Sequence, residues 1–113
     1  MNSDELRYNP SHATESPIWK HLGLFLYLEM FQVYALYSKK FNEIYIGYSS
    51  SAAKRLQSHN HPKNKGYTKR FQPWELVFTE DFKTRSQAMK REKELKTAKG
   101  REYIWQEVKK KLG

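Results

Sequence analysis

The chain is predicted to fold as a small α/β domain, an antiparallel three-stranded sheet packed with helices in the order β-β-α-β-α-α. Three observations predict it. Two runs of alternating aromatic and β-branched residues, Phe31 to Tyr37 and Ile44 to Tyr48, lie only a turn apart. A third alternating run, Trp74 to Thr79, follows a polar loop. The stretches between and after them carry helix caps and helical spacing.

In the first run Val33, Ala35 and Tyr37 face one way and Tyr34 and Leu36 the other. Ser38 to Asn42 is the turn, and strands this close in sequence pair as an antiparallel hairpin. Pairing around residues 39 to 42 is expected to set Tyr34 nearly opposite Tyr45. Ser49 to Ser51 offers an N-cap for a helix over about 51 to 59, with Ala52, Leu56 and His59 on one face and Arg55 beside them. Pro62 ends that helix, and His61 to Gly66 is a polar loop. The third strand is expected to carry Trp74, Leu76 and Phe78 on one side. Thr84 and Gln87 match a capping box that opens a helix running to about Ala98, with Ala88, Leu95 and Ala98 as its apolar stripe. Gly100 is the expected stop. A last helix over Glu102 to Leu112 is expected to point Tyr103, Val108 and Leu112 inward, with Ile104 and Trp105 beside them.

The 113 residues suffice for one core, and with no cysteine the chain has no disulfide, no thiolate nucleophile and no cysteine-based zinc site. The formal charge is +9 and unevenly spread: residues 1 to 30 hold 2 basic and 4 acidic groups, residues 83 to 113 hold 11 and 4. A basic C-terminal third suits a polyanion, most simply nucleic acid, although a solvated basic helix face gives the same composition. The apolar run Leu22 to Met30 is too short to span a membrane and lacks the basic start of a signal peptide, so a cytoplasmic protein without membrane contact is expected. Residues 1 to 30 read as a loosely ordered extension, lineage-specific or reflecting an upstream start, and residues 31 to 113 as the domain. Walker, Rossmann, HExxH and GxSxG patterns are absent.

A few residues stand out chemically. Glu92 falls on the apolar stripe between Ala88 and Leu95, where a carboxylate pairs with a cation, binds a metal or lies in a cleft. Tyr34 and Tyr45 lie off the main apolar face, and Gly47 marks a close approach beside them; plain packing is the alternative. Arg55 and His59 are one helical turn apart, suited to a phosphate and a proton respectively. Lys54, Lys65, Lys69, Arg70, Lys90 and Arg91 form basic patches with aromatics between them, able to track a nucleic-acid backbone.

Taken in order, Gln32-Val33-Tyr34, Tyr45-Ile46-Gly47, Arg55, His59 and Glu92 resemble the GIY-YIG nuclease domain over residues 31 to about 100. The chain looks most similar to small bacterial members related to the N-terminal domain of the nucleotide-excision-repair incision subunit. The resemblance implies a divalent-metal-dependent DNA endonuclease, in repair or recombination, that hydrolyses phosphodiester bonds. It implies that Glu92 holds one Mg2+ (or Mn2+). Tyr45 or Tyr34 would orient or deprotonate the attacking water, Arg55 clamp the phosphate, and His59 serve as an accessory base or orienter. DNA is the implied partner, with RNA and a targeting protein left open. Departures are Gln32 and Val33 in the first motif, Tyr48 where the incision subunit carries lysine, and Glu94 where it carries asparagine. The same scaffold also admits a catalytically weak or inactive nucleic-acid binding module. A scaffold protein binding through exposed aromatics such as Trp105 is a third reading.

Overall fold

The computed structural model describes residues 30–113. The expected loose arm and the apolar element before Met30 lie outside them. Strands β1 (Phe31–Ser38), β2 (Glu43–Ser49) and β3 (Glu75–Phe82) form one sheet in the order β2-β1-β3, antiparallel throughout. Helix α1 (Ala52–His59) follows the hairpin, and α2 (Arg85–Leu95) and α3 (Ala98–Leu112) follow β3. Residues 67–71, for which the sequence predicts only a basic patch, form a 3₁₀ helix, Tyr67–Phe71. The expected fold class and element order are present.

Residues Val33 to Ser38 of the central strand are all buried, as befits a strand covered on both faces. On one face Val33, Ala35, Tyr37, Ile44 and Ile46 meet Ala88, Leu95, Ile104 and Val108 of α2 and α3. On the other, Tyr34 and Leu36 meet Ala52 of α1 and Trp74, with Tyr45, Leu56 and Phe71 packed around them. Asn42 closes the hairpin turn at φ 52°, a left-handed conformation that asparagine tolerates.

Several details correct the sequence reading. The ladder sets Tyr34 opposite Gly47 and Tyr45 opposite Leu36, so the two tyrosines are diagonal rather than directly opposed. The β1–β3 pairing shifts register between Ala35 and Leu36, leaving Val77 as an extra residue. This bulge breaks the expected Trp74–Leu76–Phe78 alternation: Trp74 and Leu76 pack on the α1 side, Val77 and Phe78 on the α2–α3 side. Helix α2 ends earlier than expected, at Leu95, which leaves Ala98 exposed. Thr97 then caps α3: its hydroxyl donates to the Glu94 carbonyl at 2.7 Å and accepts from the Gly100 amide at 3.1 Å. Gly100 is therefore inside α3 rather than a stop. A Cβ there would lie 2.2 Å from the Glu94 carbonyl oxygen and 2.4 Å from Leu95 Cα, so glycine permits the tight α2–α3 corner. The earlier start also rotates the inward face of α3 to Ile104 and Val108, while Tyr103 and Leu112 are exposed.

Candidate active site

Tyr34 projects from the central strand onto the α1 side and is almost fully buried. Gly47 stands across the ladder from it. A Cβ on Gly47 would lie 2.8 Å from the Tyr34 hydroxyl and 3.2 Å from the Tyr45 ring. The missing side chain is what lets both phenols share this face, with ring centroids 6.3 Å apart.

Helix α1 is aimed by its first turn. Ser51 Oγ accepts from the Lys54 amide at 3.2 Å, and Gln32 Oε1 accepts from the Ala52 amide at 2.8 Å. Gln32 Nε2 donates to Asp81 at 3.1 Å, so this side chain ties both outer segments to β1. The departure from glycine in the first motif thus has a structural use. Arg55 and His59 fall one turn apart on α1, and His59 is its last residue. The His59 carbonyl accepts from Asn64 Nδ2 at 3.0 Å and from Gln72 Nε2 at 2.7 Å, which anchors the helix end.

The His59 ring lies between two hydroxyls. Nε2 is 3.0 Å from the Tyr34 hydroxyl, and Nδ1 is 2.8 Å from Thr68 Oγ1. Its centroid is 4.7 Å from that of Tyr45. Burial, with Arg55 adding to it, lowers the pKa of His59, so the neutral ring with one N–H prevails at neutral pH. Asn64 Oδ1 accepts from the Gly66 amide, which fixes its amide orientation, and Asn64 Nδ2 donates to Thr68 Oγ1 at 2.9 Å. The buried Thr68 hydroxyl then has one proton to give. Given to His59 Nδ1, it satisfies the hydroxyl. The reverse direction would leave that proton without an acceptor among the described residues. Hydrogen bonds therefore run from Asn64 to Thr68 to His59 to Tyr34, and the Tyr34 oxygen accepts from Nε2–H. Its own proton is left to donate elsewhere.

Burial raises the Tyr34 pKa well above the usual tyrosine value, Tyr45 and Glu92 raise it further, and Arg55 opposes them. The phenol stays protonated. It also follows that Arg55 and Glu92, on helices covering opposite faces, both act on the same hydroxyl. Glu92 keeps 19% of its side chain exposed between the buried Ala88 and Leu95, and its Oε2 is 3.5 Å from Lys96 Nζ. Among the described residues its ion pair is with Lys96 and not with Arg55.

No group of three His, Cys, Asp or Glu side chains gathers as a metal cluster among the described residues. Magnesium, however, commonly uses one or two carboxylates and completes its shell with water and phosphate. The Glu92 carboxylate, mostly buried but still reached by solvent, suits that open arrangement, and a manganese ion accepts the same oxygen donors.

The expected basic residues divide in their use. Lys54, Lys65 and Lys90 are exposed. Lys69 donates to the Pro62 carbonyl, and the Arg70 guanidinium lies 5.3 Å over the Phe71 ring. Arg91 is instead a strut: it donates to Glu80 at 2.8 Å and Glu94 at 3.4 Å and covers Tyr103. Sequence reasoning missed Gln32 as a tether and passed over Asn64, Thr68 and Gln72. Their signal was faint, a run of hydrogen-bonding residues between a helix-terminal histidine and Trp74.

Among the described residues no helix is long and apolar enough to cross a membrane. A UPF0213 protein of Staphylococcus haemolyticus is 43% identical over 58 residues, which cover 51% of this chain and 71% of that protein. One of Staphylococcus epidermidis is 44% identical over 54 residues, 48% of this chain and 66% of that protein. Their names carry no tie to the excision-repair incision subunit, so the nearer kinship expected from sequence is not carried by these relatives. The family profile described as the GIY-YIG catalytic domain matches residues 30–110, the whole of the sheet and almost all of the helical layer built on it. On that match and this topology, the chain belongs to the GIY-YIG catalytic domain family.

Proposed function

We propose that the site around Tyr34 binds the phosphodiester backbone of DNA and hydrolyses it with the help of one divalent cation held by Glu92. The observation that supports this reading is the His59 ring held between the Tyr34 and Thr68 hydroxyls. His59 donates to Tyr34, while the charges of Arg55 and Glu92 reach it from helices on opposite faces. Arg55 offers planar donors to phosphate oxygens. Tyr34, kept protonated, donates to a phosphate oxygen or to the water beside it, so orienting suits it better than deprotonating. His59, as an Nε2–H tautomer, fixes that phenol. Tyr45 walls the floor. When bound, the cation polarises the phosphoryl group and lowers the pKa of a bound water.

The test is cleavage of labelled duplex, single-stranded, flap and four-way DNA with magnesium, manganese or EDTA. Metal-dependent products are expected, and Arg55→Ala should lower the turnover rate by roughly 100-fold, the usual loss for a removed transition-state donor. A change confined to KM would make Arg55 a uniform binding contact instead.

A second reading has its own observation. Lys96 holds Glu92, and no larger acidic group surrounds it among the described residues. A nucleic-acid binding module with weak or no cleavage fits those facts. Salt-sensitive binding to the same panel without products in either metal would favour it.

A further inference from the structure

A second surface adjoins the Tyr34–Tyr45 site. The Tyr45 and Trp74 rings are 6.3 Å apart, Trp74 and Phe71 6.1 Å, and Phe71 lies 5.1 Å from Tyr67 and 5.6 Å from Phe41. This file of rings leads from the site to open solvent, where Tyr67 is 63% and Phe41 43% exposed. The backbone beneath is fixed. Ser38 Oγ donates to the Phe71 carbonyl at 2.7 Å, and Trp74 Nε1 donates to the Thr68 carbonyl at 2.9 Å. Cations ring the patch: Lys40 Nζ lies 5.5 Å over Phe41 and the Arg70 guanidinium 5.3 Å over Phe71. Residues 38–42 and 63–71, which carry it, contain Lys39, Lys40, Lys63, Lys65, Lys69 and Arg70 and no acidic residue.

Exposed rings set among cations match one chemistry well, bases stacked on aromatics with their phosphates on lysine and arginine. A duplex hides its base faces, whereas an unpaired strand offers them. We infer that Phe41 and Tyr67, backed by Phe71, stack the unpaired bases of a nucleic-acid strand next to the phosphate held at the Tyr34 site. The inference rests on the phosphodiester reading of that site. It makes the preferred substrate one with a single-stranded segment beside the bond acted on.

The test is fluorescence anisotropy with the full chain and labelled oligothymidylate, oligouridylate and a blunt duplex of equal length. Tyr67→Ala and Phe41→Ala are each expected to weaken binding of the single strands about fivefold or more. Duplex binding should change less than twofold, and Tyr67→Phe should bind single strands as the parent does. The two single strands tell DNA from RNA as the source. Unchanged single-strand binding in both alanine variants, or equal losses on duplex, overturns the stacking role and leaves the phosphodiester reading intact. A change in oligomeric state with no change in DNA binding overturns it too, giving the patch to a second copy. Binding of no strand by the parent protein overturns both readings.

Discussion

The two faces of the sheet are built on different principles. The face under α2 and α3 is a dry contact of Val33, Ala35, Ile44, Ile46, Leu95, Ile104 and Val108, with few polar groups to satisfy. The face under α1 also buries side chains, but there Tyr34, His59, Thr68 and Asn64 are joined by directed hydrogen bonds. Packing without direction tolerates exchange of one apolar group for another. A hydrogen-bonded chain tolerates little, because each member sets the proton of the next. One face therefore holds the fold, and the other holds a geometry.

Substitutions should separate the two. The largest stability effect is expected at Leu95→Ala or Ile104→Ala, each losing roughly 2–5 kcal/mol in denaturant unfolding. Gly100→Ala should follow, at roughly 1–3 kcal/mol, because its Cβ meets the backbone of Glu94 and Leu95. Gly47→Ala should cost less, since the obstructing atoms are side chains, yet it pushes the Tyr34 hydroxyl off His59 and should lower any cleavage rate by more than its stability loss suggests. Thr68→Val is the sharpest probe. Nitrogen NMR of the parent at pH 8 should find His59 protonated on Nε2 and bare on Nδ1, and the variant should lose that preference. The opposite tautomer in the parent would break the chain as drawn.

The smallest effect is on pH. The lowered His59 pKa gives a contribution to stability that is present above its ordinary value of 6.5 and lost as the solution is acidified below it. The raised Tyr34 pKa gives one present below 10.0 and lost as pH climbs above it. The thermal midpoint of His59→Gln should accordingly fall less between pH 7 and 5 than that of the parent.

What the sequence made legible follows the same division. The hairpin, the Thr84–Gln87 capping box and the placing of Glu92 between Ala88 and Leu95 rest on local periodicity, and all three are present. The bulge at Val77 and the true α2–α3 corner are set by tertiary fit: an extra residue in a ladder, and a glycine under a backbone crossing. No pattern along the chain signals either. For the site, motif spacing points to Tyr34, Tyr45, Arg55, His59 and Glu92, and the fold sets Tyr34, Tyr45 and His59 side by side. Thr68 was not, because a threonine nine residues beyond a histidine has meaning only once the loop has folded back. Arg91 illustrates the converse, a basic residue that composition assigns to nucleic acid and the fold assigns to Glu80.

The central claim is that one carboxylate, Glu92, serves chemistry while many other contacts hold the DNA. The most direct measurement compares Glu92→Gln with the parent for cleavage in magnesium and manganese and for DNA affinity in the same buffers. Loss of all metal-dependent products, with affinity changed less than about threefold, is the expected result, since the proposal has several phosphate contacts hold the backbone. Cleavage by the variant at the parental rate would contradict the claim.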